Sequence, residues 1–264
     1  MKKPIVFFDI DGTLLNEDKI IPNSTIKAIR LLQEQGVLTA IATDRVPKMF
    51  YWIQKELNID TFVSMNGQYV VFKGREVYSN PMNLKLLEEL LTMSESNGDA
   101  LGYCSCFDIK VSQSNHAFIE ACFDSLLLPY PEVDKKFYQR SSIYQGHLYC
   151  DSQREQTYRE RFPDFSFVKW HENAYDILPK SISKAVGVRK LLEALNIDRN
   201  NCYAFGDGLN DLEMLKEAGT GIAMGNAIPA ARAAADLVTT HVANDGILNG
   251  LIQVGLLEKK QAAV

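Results

Sequence analysis

Asp9 and Asp11 follow the first apolar segment of the chain, and Gly12 lies beside them. The apolar segment, Ile5–Phe8, suits a strand that is covered on both faces of a parallel sheet. Open α/β sheets bind ligands at the carboxyl ends of their strands, so we interpret the two carboxylates as part of a site. An ordinary polar turn is the simpler alternative, because Asp and Gly are common turn residues. A calcium loop is excluded, because counted from Asp9 it needs glycine at position 6 and glutamate at position 12, where Gly12 is at position 4 and Ile20 at position 12.

A second acidic turn lies much further along the chain. Residues 206–211 read Gly-Asp-Gly-Leu-Asn-Asp after a short apolar segment, so Asp207 and Asp211 repeat the arrangement of the first turn. If both segments are strands of one parallel sheet, the carboxylates of both turns meet at the same edge. Carboxylates that are close together repel strongly unless a cation is present, and an all-oxygen site suits a hard ion. The sequence therefore predicts a Mg²⁺ site, and Mg²⁺ commonly works alongside phosphate groups.

Phosphate binding also needs hydrogen-bond donors and a positive charge. Thr43 ends the second predicted strand at the same edge, where its hydroxyl and the N–H groups of a helix start form an anion site. Lys184 precedes a predicted helix and is the candidate cation, although an unaided lysine is more commonly a solvated surface residue. The Rossmann dinucleotide-binding fingerprint is excluded, because residues 219–225 have the spacing G-x-G-x-x-x-G. A phosphate loop is excluded because the chain contains no GxxxxGK[ST] segment.

The predicted secondary structure changes character twice along the chain. The first part alternates strands and helices, with strands at residues 5–8, 37–42, 61–64 and 68–72 and helices between 22 and 36 and at 46–57. The middle part mixes helices and hairpins, with helices at 84–96, 117–128 and 153–162. Residues 101–111 are strand-like, 142–150 form a strand, and 165–178 form two strands around residues 172–173. The alternation then returns, with helices at 183–195, 212–218 and 229–235, strands at 201–205, 221–224 and 237–239, and a helical tail from 246.

Alternating strands and helices indicate a parallel sheet that is covered on both faces. We therefore predict an α/β fold with a Rossmann-like, doubly wound parallel sheet formed by residues 1–82 and 180–264. An α+β domain is inserted into it at residues 83–179.

Composition limits the possible partners and location. The 264 residues are 46% hydrophobic and 23% charged, enough to bury a substantial core. A net charge of −5 argues against a nucleic-acid partner, and no apolar run approaches the roughly 18 to 20 residues of a membrane span. The N-terminal apolar run reaches Asp9 too soon for a signal peptide, and five scattered cysteines fit reduced thiols. We expect a cytoplasmic protein.

Four motifs resemble those of the haloacid dehalogenase superfamily, and they occur in the same order: residues 9–13 (Asp-Ile-Asp-Gly-Thr), Thr43, Lys184 and residues 206–211. The large insertion between the second and third motifs is similar to that of the Cof-type (IIB) branch, as are residues 62–67 before it and 223–227 near the end. The resemblance covers both core segments, whereas the inserted domain matches only in its placement and style. It implies a phosphatase with a haloacid dehalogenase-like core.

The resemblance also implies a mechanism. Asp9 would attack the phosphorus and form an aspartyl-phosphate, which water then hydrolyses. Asp11 would protonate the leaving alcohol and later activate the water, and an Asp here is what phosphatase and phosphotransferase members carry. The remaining roles would be Mg²⁺ binding by Asp9, the backbone carbonyl of Asp11 and Asp207, with Asp211 close by, and phosphoryl binding by Thr43, Lys184 and Asn210.

One position departs from the family pattern. The family usually has Thr-Gly-Arg at the second motif, whereas this chain has Thr43-Asp44-Arg45. Glycine lets a backbone N–H approach phosphate, and an added carboxylate could repel the substrate dianion. We favour a structural interpretation, in which Asp44 caps the helix that starts at Val46 and points away, paired with Arg45 or Lys48. The alternative is that Asp44 is part of the phosphate site and weakens phosphate binding.

From the resemblance we expect the inserted domain to act as a cap that closes over the site and selects the leaving group. The expected activity is Mg²⁺-dependent hydrolysis of small phosphorylated metabolites, such as sugar phosphates or phosphorylated cofactors like PLP or FMN. One alternative is a phosphotransferase or phosphomutase that uses the same intermediate. The other is a catalytically weak regulatory module that binds metal and phosphate, and only Asp44 favours it.

Overall fold

The computed structural model describes residues 3–126, 128–180 and 182–259, and these residues form two compact units. The core unit contains residues 3–45, 49–79 and 183–259, and the inserted unit contains residues 46–48 and 80–182 apart from 127 and 181. The sequence predicts the insertion at 83–179. Residues 1–2 and 260–264, which the predicted core bounds include, lie outside the described residues.

The first segment of the core unit alternates strands with helices. Its elements are β1 (Ile5–Phe8), α1 (Asn23–Glu34), β2 (Leu38–Ala42), α2 (Pro47–Leu57), β3 (Phe62–Ser64), β4 (Tyr69–Phe72) and β5 (Arg75–Ser79). The first two residues of α2, Pro47 and Lys48, belong to the inserted unit. Helix α1 forms because apolar and small residues recur at helical spacing, and it buries Ala28, Ile29 and Leu32 on one face. Strand β5 was not predicted, because its residues are largely exposed and lack an alternating pattern.

The inserted unit consists of α3 (Leu84–Ser96), β6 (Ala100–Cys104), β7 (Ile109–Val111), α4 (Ala117–Ser125), β8 (Glu132–Val133), β9 (Gln145–Tyr149), α5 (Glu155–Arg161), β10 (Phe165–His171) and β11 (Ala174–Pro179). Residues 101–111, which are predicted to be strand-like, form two strands, because a turn separates β6 from β7. The Ser105 hydroxyl accepts hydrogen bonds from the N–H groups of Phe107 and Asp108 in this turn. The six strands form one sheet in the order β10-β11-β9-β6-β7-β8, and every pairing except β7–β8 is antiparallel.

The second segment of the core unit contains α6 (Lys184–Leu195), β12 (Cys202–Gly206), α7 (Leu212–Glu217), β13 (Thr220–Ala223), α8 (Pro229–Ala234), β14 (Leu237–Val238) and α9 (Gly246–Gln253). The core sheet has the order β14-β13-β12-β1-β2-β3-β4-β5. Pairings from β14 to β3 are parallel, and β3, β4 and β5 form an antiparallel meander at one edge. Strand β1 lies between β2 and β12, so each acidic turn follows one of two neighbouring strands.

Both faces of the core sheet are covered, which confirms the predicted fold class. Val6 and Phe8 of β1 pack with apolar residues of α1, α2 and α9 on one face. Ile5 and Phe7 pack with residues of α6 and α7 on the other face. All four side chains are fully buried, and burial of each contributes roughly 1.5–3 kcal/mol. This packing fixes the strand that carries the first acidic turn.

Two expectations from the sequence, on membrane-spanning helices and on disulfides, can be compared with the described residues. None of the helices in the described part of the chain combines the length and hydrophobicity needed to cross a bilayer. The five cysteines all lie in the described part of the chain, and no disulfide joins any two of them.

Candidate active site

The pairing of β1 with β12 brings the two acidic turns together. Phe8 lies opposite Phe205 in the register, and the N–H of Asp9 donates to the Phe205 carbonyl at 3.0 Å. One carboxylate oxygen each of Asp9, Asp207 and Asp211 lies within 4.8 Å of the others. The predicted convergence of these three carboxylates is therefore found in the structure. The carboxylate of Asp11 does not join this group and has other partners.

Lys184 is the cation of the cluster. It is fully buried at the first position of α6, and its Nζ donates to Asp9 Oδ1 at 2.5 Å and to Asp211 Oδ1 at 2.7 Å. Burial alone would lower the pKa of Lys184, but the negative charges of Asp211 and Asp9 outweigh burial and raise it. The general expectation of a solvated lysine is wrong here, because the ammonium is enclosed between two carboxylates.

Two glycines allow α6 to approach the sheet closely enough to place Lys184. Gly67 has φ +96°, and a Cβ there would lie 2.2 Å from the Ser183 carbonyl oxygen. A Cβ on Gly187 would lie 2.4 Å from Val63 Cγ1. The segment after β3, predicted as a hairpin-type turn at Asn66 and Gly67, is a short 3₁₀ turn against which the start of α6 packs.

The three carboxylates of the acidic cluster carry more negative charge than Lys184 can neutralise. Burial, followed by the charge of Asp211, raises the pKa of Asp9 even though Lys184 opposes the shift. The same two causes raise the pKa of Asp207 to about 6, although the Thr13 hydroxyl donates to Asp207 Oδ1 at 3.0 Å. A bound cation would relieve this repulsion.

The residues present fit a hard divalent cation. The donor set is all oxygen, and Gly12 removes a side chain from the space beside Asp207. A Cβ on Gly12 would lie 2.2 Å from Asp207 Oδ2, and the φ of Gly12 is +83°, a conformation that favours glycine. The arrangement suits Mg²⁺, which binds few carboxylates and retains other oxygen ligands.

Asp211 organises the second acidic turn as well as pairing with Lys184. Its Oδ2 accepts hydrogen bonds from the N–H groups of Asp207 and Gly208, each at 2.9 Å. Asn210 lies half-buried in the same turn. The carboxylate of Asp211 is therefore occupied on one oxygen by Lys184 and on the other by the backbone.

Asp11 is held by two cations that the sequence analysis did not assign to it. Arg45 donates from Nε to Oδ2 at 2.8 Å and from Nη2 to Oδ1 at 2.7 Å, and Lys19 donates to Oδ1 at 2.7 Å. Burial would raise the pKa of Asp11, but these hydrogen bonds and charges lower it. No local pattern could reveal the ion pair, because Arg45 and Asp11 lie on different turns of the sheet edge.

Thr43 and Asp44 directly follow β2, the strand that pairs with β1. Thr43 is fully buried, its N–H donates to the Val63 carbonyl at 2.9 Å, and its Oγ1 accepts from the Arg45 N–H at 3.1 Å. The Thr43 hydroxyl also donates to Asp44 Oδ1 at 3.3 Å. The negative charge of Asp44 contributes to the raised pKa of Lys184, so it acts on the site.

The favoured interpretation of Asp44 as a helix cap is therefore wrong. Helix α2 begins at Pro47, three residues after Asp44, whereas an N-cap residue directly precedes the first residue of its helix. Arg45 pairs with Asp11, and Lys48 pairs with Asp108 in its own unit.

Asn226 lies beside the first acidic turn, and its residue type and position did not predict a role for it. Its Nδ2 donates to the Gly12 carbonyl at 2.8 Å, and its Oδ1 accepts from the Val242 N–H at 2.9 Å. The only signal in the sequence is its place in the family-like run at residues 223–227.

A family model of haloacid dehalogenase-like hydrolases matches residues 6–251. The chain therefore belongs to this family, in its Cof-type phosphatase branch, which confirms the predicted family and class of enzyme. YkrA of Bacillus subtilis strain 168, named as a candidate phosphatase, is 41% identical over 258 residues that cover 98% of this chain and 100% of YkrA.

Solved structures show the same fold over nearly the whole chain. The crystal structure of a protein of Geobacillus kaustophilus HTA426, described only as hypothetical, has a TM-score of 0.94 at 45% identity, covering 97% of this chain and 100% of that one. The subclass IIB sugar phosphatase BT4131 has a TM-score of 0.84 at 28% identity, covering 97% of this chain and 100% of BT4131.

Proposed function

We propose that the protein is a Mg²⁺-dependent phosphatase that hydrolyses small phosphate monoesters through an aspartyl-phosphate. One observation carries the proposal: buried Lys184 bridges Asp9 and Asp211 beside Asp207 at the carboxyl edge of a parallel sheet. This arrangement supports the proposal, because it would place a nucleophile, a cation and a metal-binding group of carboxylates together.

Asp9 would be the nucleophile. Its carboxylate follows β1 directly and is 5% exposed, so it has a fixed position and little contact with solvent. Burial favours the neutral form of Asp9, and only an ionised carboxylate attacks phosphorus. Lys184 donates to Oδ1 and thereby favours the ionised form. The same ammonium would stabilise negative charge that grows on the phosphoryl oxygens in the transition state.

Asp9, Asp207 and the backbone carbonyl of Asp11 would hold Mg²⁺. When bound, the ion would neutralise phosphate charge and polarise the phosphoryl group. Asp211 would act mainly through Lys184 and the turn, because both of its carboxylate oxygens already accept hydrogen bonds.

Asp11 would be the general acid and base. It would give a proton to the oxygen of the departing alcohol and then accept one from the attacking water. Thr43, Lys184 and Asn210 would bind the phosphoryl oxygens, and Asp44 would reduce the positive potential there.

The substrate class we propose is small phosphorylated metabolites, with sugar phosphates first and phosphorylated cofactors such as PLP or FMN next. The similarity to a sugar phosphatase over nearly the whole chain supports this order. An acidic net charge of −5 fits a small-molecule partner better than a nucleic acid, and we propose a cytoplasmic location.

The test is phosphate release from a panel of phosphorylated metabolites, with and without Mg²⁺, by the wild-type protein and the Asp9→Asn variant. Release that requires both Mg²⁺ and Asp9 supports the proposal, and the ranking of esters gives the substrate class. Release by Asp9→Asn at the wild-type rate would rule out the aspartyl-phosphate route.

A catalytically weak phosphate-binding module is the second candidate. It is favoured by Asp44, whose carboxylate accepts from the Thr43 hydroxyl and whose charge acts on Lys184. Binding of inorganic phosphate with Mg²⁺ present, but no release from any ester, would favour this module.

A further inference from the structure

Arg45 contacts both carboxylate oxygens of Asp11. We propose that Arg45 is a positioning residue for the second half of the reaction, in which Asp11 removes a proton from the water that attacks phosphorylated Asp9. This inference rests on the proposed function and adds to it the residue that orients the base and the oxygen that receives the proton.

The contact between Arg45 and Asp11 is bidentate. Nε lies 2.8 Å from Oδ2, and Nη2 lies 2.7 Å from Oδ1. A planar guanidinium that contacts both oxygens fixes the plane of the carboxylate, which a single contact does not do. The Arg45 side chain is 15% exposed and the Asp11 side chain 39%, so the guanidinium is the more enclosed partner.

The backbone of Arg45 is anchored to the ends of two strands. Its N–H donates to Thr43 Oγ1 at 3.1 Å, directly after β2, and its carbonyl accepts from the Met65 N–H at 3.4 Å, directly after β3. Asp11 lies instead in the turn beside Gly12. The sheet therefore orients Arg45, and Arg45 orients Asp11.

The contacts distinguish the two oxygens of Asp11. Oδ1 accepts from Arg45 Nη2 and from Lys19 Nζ, whereas Oδ2 accepts from Arg45 Nε alone among the described residues. A carboxylate oxygen has two lone pairs in the plane, so Oδ2 keeps one acceptor position. Oδ2 is thus the atom that receives the proton of water.

The step balances without a further reactant. The oxygen of water bonds to phosphorus, the bond between phosphorus and the Asp9 oxygen breaks, and a proton of water moves to Asp11 Oδ2. The products are inorganic phosphate, the free carboxylate of Asp9 and protonated Asp11. Protonated Asp11 can then supply the proton for the next leaving alcohol.

The test is rapid-mixing kinetics with p-nitrophenyl phosphate and Mg²⁺. p-Nitrophenol is a good leaving group, so formation of the aspartyl-phosphate needs little help from an acid. Arg45→Ala should slow only the second step, with kcat lower by on the order of 10²-fold. We expect a burst of up to one p-nitrophenol per protein molecule, and KM should fall with kcat so that kcat/KM is nearly unchanged.

Arg30→Ala is the matched control, because Arg30 also pairs with a carboxylate, that of Glu34 at 3.1 Å, but both side chains are largely exposed on α1. It should show no burst. Arg45→Lys keeps the charge without the bidentate contact and should show a smaller burst. If circular dichroism shows that Arg45→Ala is misfolded, the burst of Arg45→Lys tests the proposal instead.

A raised KM with lower kcat/KM and no burst in the Arg45 variants would show that Arg45 binds phosphate, and would overturn the inference. A wild-type protein that releases no phosphate from any ester would overturn the proposed function instead.

Discussion

The core unit and the inserted unit each bury a cluster of ionisable side chains, and the buried basic residue is charged in one cluster and neutral in the other. In the core unit, Lys184 stays charged between Asp9 and Asp211. In the inserted unit, His147 Nε2 lies 3.4 Å from Cys104 Sγ and 3.4 Å from Asp176 Oδ1. Burial lowers the pKa of His147 from its ordinary 6.5 to about 4 and raises the pKa of Cys104, so both are neutral near pH 7.

The location of the two clusters differs as well. Asp9 lies just beyond the end of β1, whereas His147 lies in the middle of β9, with Tyr149 OH 3.1 Å from its Nδ1. Gly102 on β6 leaves room for the imidazole, since a Cβ there would lie 3.1 Å from the His147 Cβ. Charged groups at strand ends give a recognisable sequence pattern. Neutral polar groups inside strands do not.

The largest effect should come from Asp9→Asn. An amide is a poor nucleophile, so we expect kcat to fall by about 10⁴-fold or more, while the thermal midpoint changes little or rises. Phosphate release and thermal unfolding measure the two effects. His147→Gln in the inserted unit is the matched control and should retain release through the aspartyl-phosphate. An equal loss of phosphate release in the Asp9→Asn and His147→Gln variants would contradict a catalytic site that lies in the core unit alone.

The next effect is on stability. Lys184→Met leaves Asp9 and Asp211 as uncompensated buried carboxylates, and we expect a loss of about 3–5 kcal/mol in unfolding free energy. Millimolar Mg²⁺ should restore part of it, because a cation that binds only the folded state stabilises that state. Urea unfolding with and without Mg²⁺ measures both effects.

Arg154→Met is the control in the inserted unit, where Arg154 pairs with fully buried Asp99 at 2.6 Å. It should also lose stability, but Mg²⁺ should not restore it. Equal recovery of the two variants would contradict a metal site in the core.

A pH effect should follow from His147. Its pKa of about 4 in the folded protein lies below the ordinary 6.5, so the unfolded chain binds more protons between these values. The free energy of unfolding should therefore fall as pH decreases from 6.5 toward 4, by on the order of 3 kcal/mol at most. Urea unfolding at several pH values measures the slope, and His147→Gln should reduce it. An unchanged slope in the variant would assign the pH dependence to other groups.

The smallest effect should come from Asp44. Asp44→Asn removes a half-buried negative charge that acts on Lys184, so phosphate esters should bind more tightly. We expect KM to fall by roughly fivefold, about 1 kcal/mol, with kcat nearly unchanged. Asp44→Gly, which restores the usual family residue, should have the same effect. Unchanged KM and kcat in both variants would remove Asp44 from the phosphate site.

The core fold and most of the site could be predicted because local patterns encode them. Apolar segments that are followed by Asp9 and Asp207 predicted both the sheet and its acidic edge. The contact between Arg45 and Asp11 could not be predicted, because it depends on how far apart two strand ends lie. The burial of Lys184 was also hidden, since it depends on the close packing of α6 against the turn at Gly67.

The inserted unit was harder to predict. Strand β8 has two exposed residues, too few for a pattern, and the turn at Ser105 depends on side-chain hydrogen bonds. The cluster around His147 spans β6, β9 and β11, which are buried on both faces, so no alternation of buried and exposed residues marks its members in the sequence. Only the pairing of the strands brings these residues together.

The position of β1 between β2 and β12 sets an order of assembly on the ribosome. Asp9 is made early and Asp211 is 202 residues later, so at about 5–20 residues per second the two are separated by on the order of 10 to 40 seconds of synthesis. Until residues 184–206 are made, β1 lacks β12 as a neighbour and Asp9 lacks its partner Lys184. The inserted unit is completed first and can fold in the meantime. A chain released before Asp211 therefore carries a finished inserted unit but no assembled site.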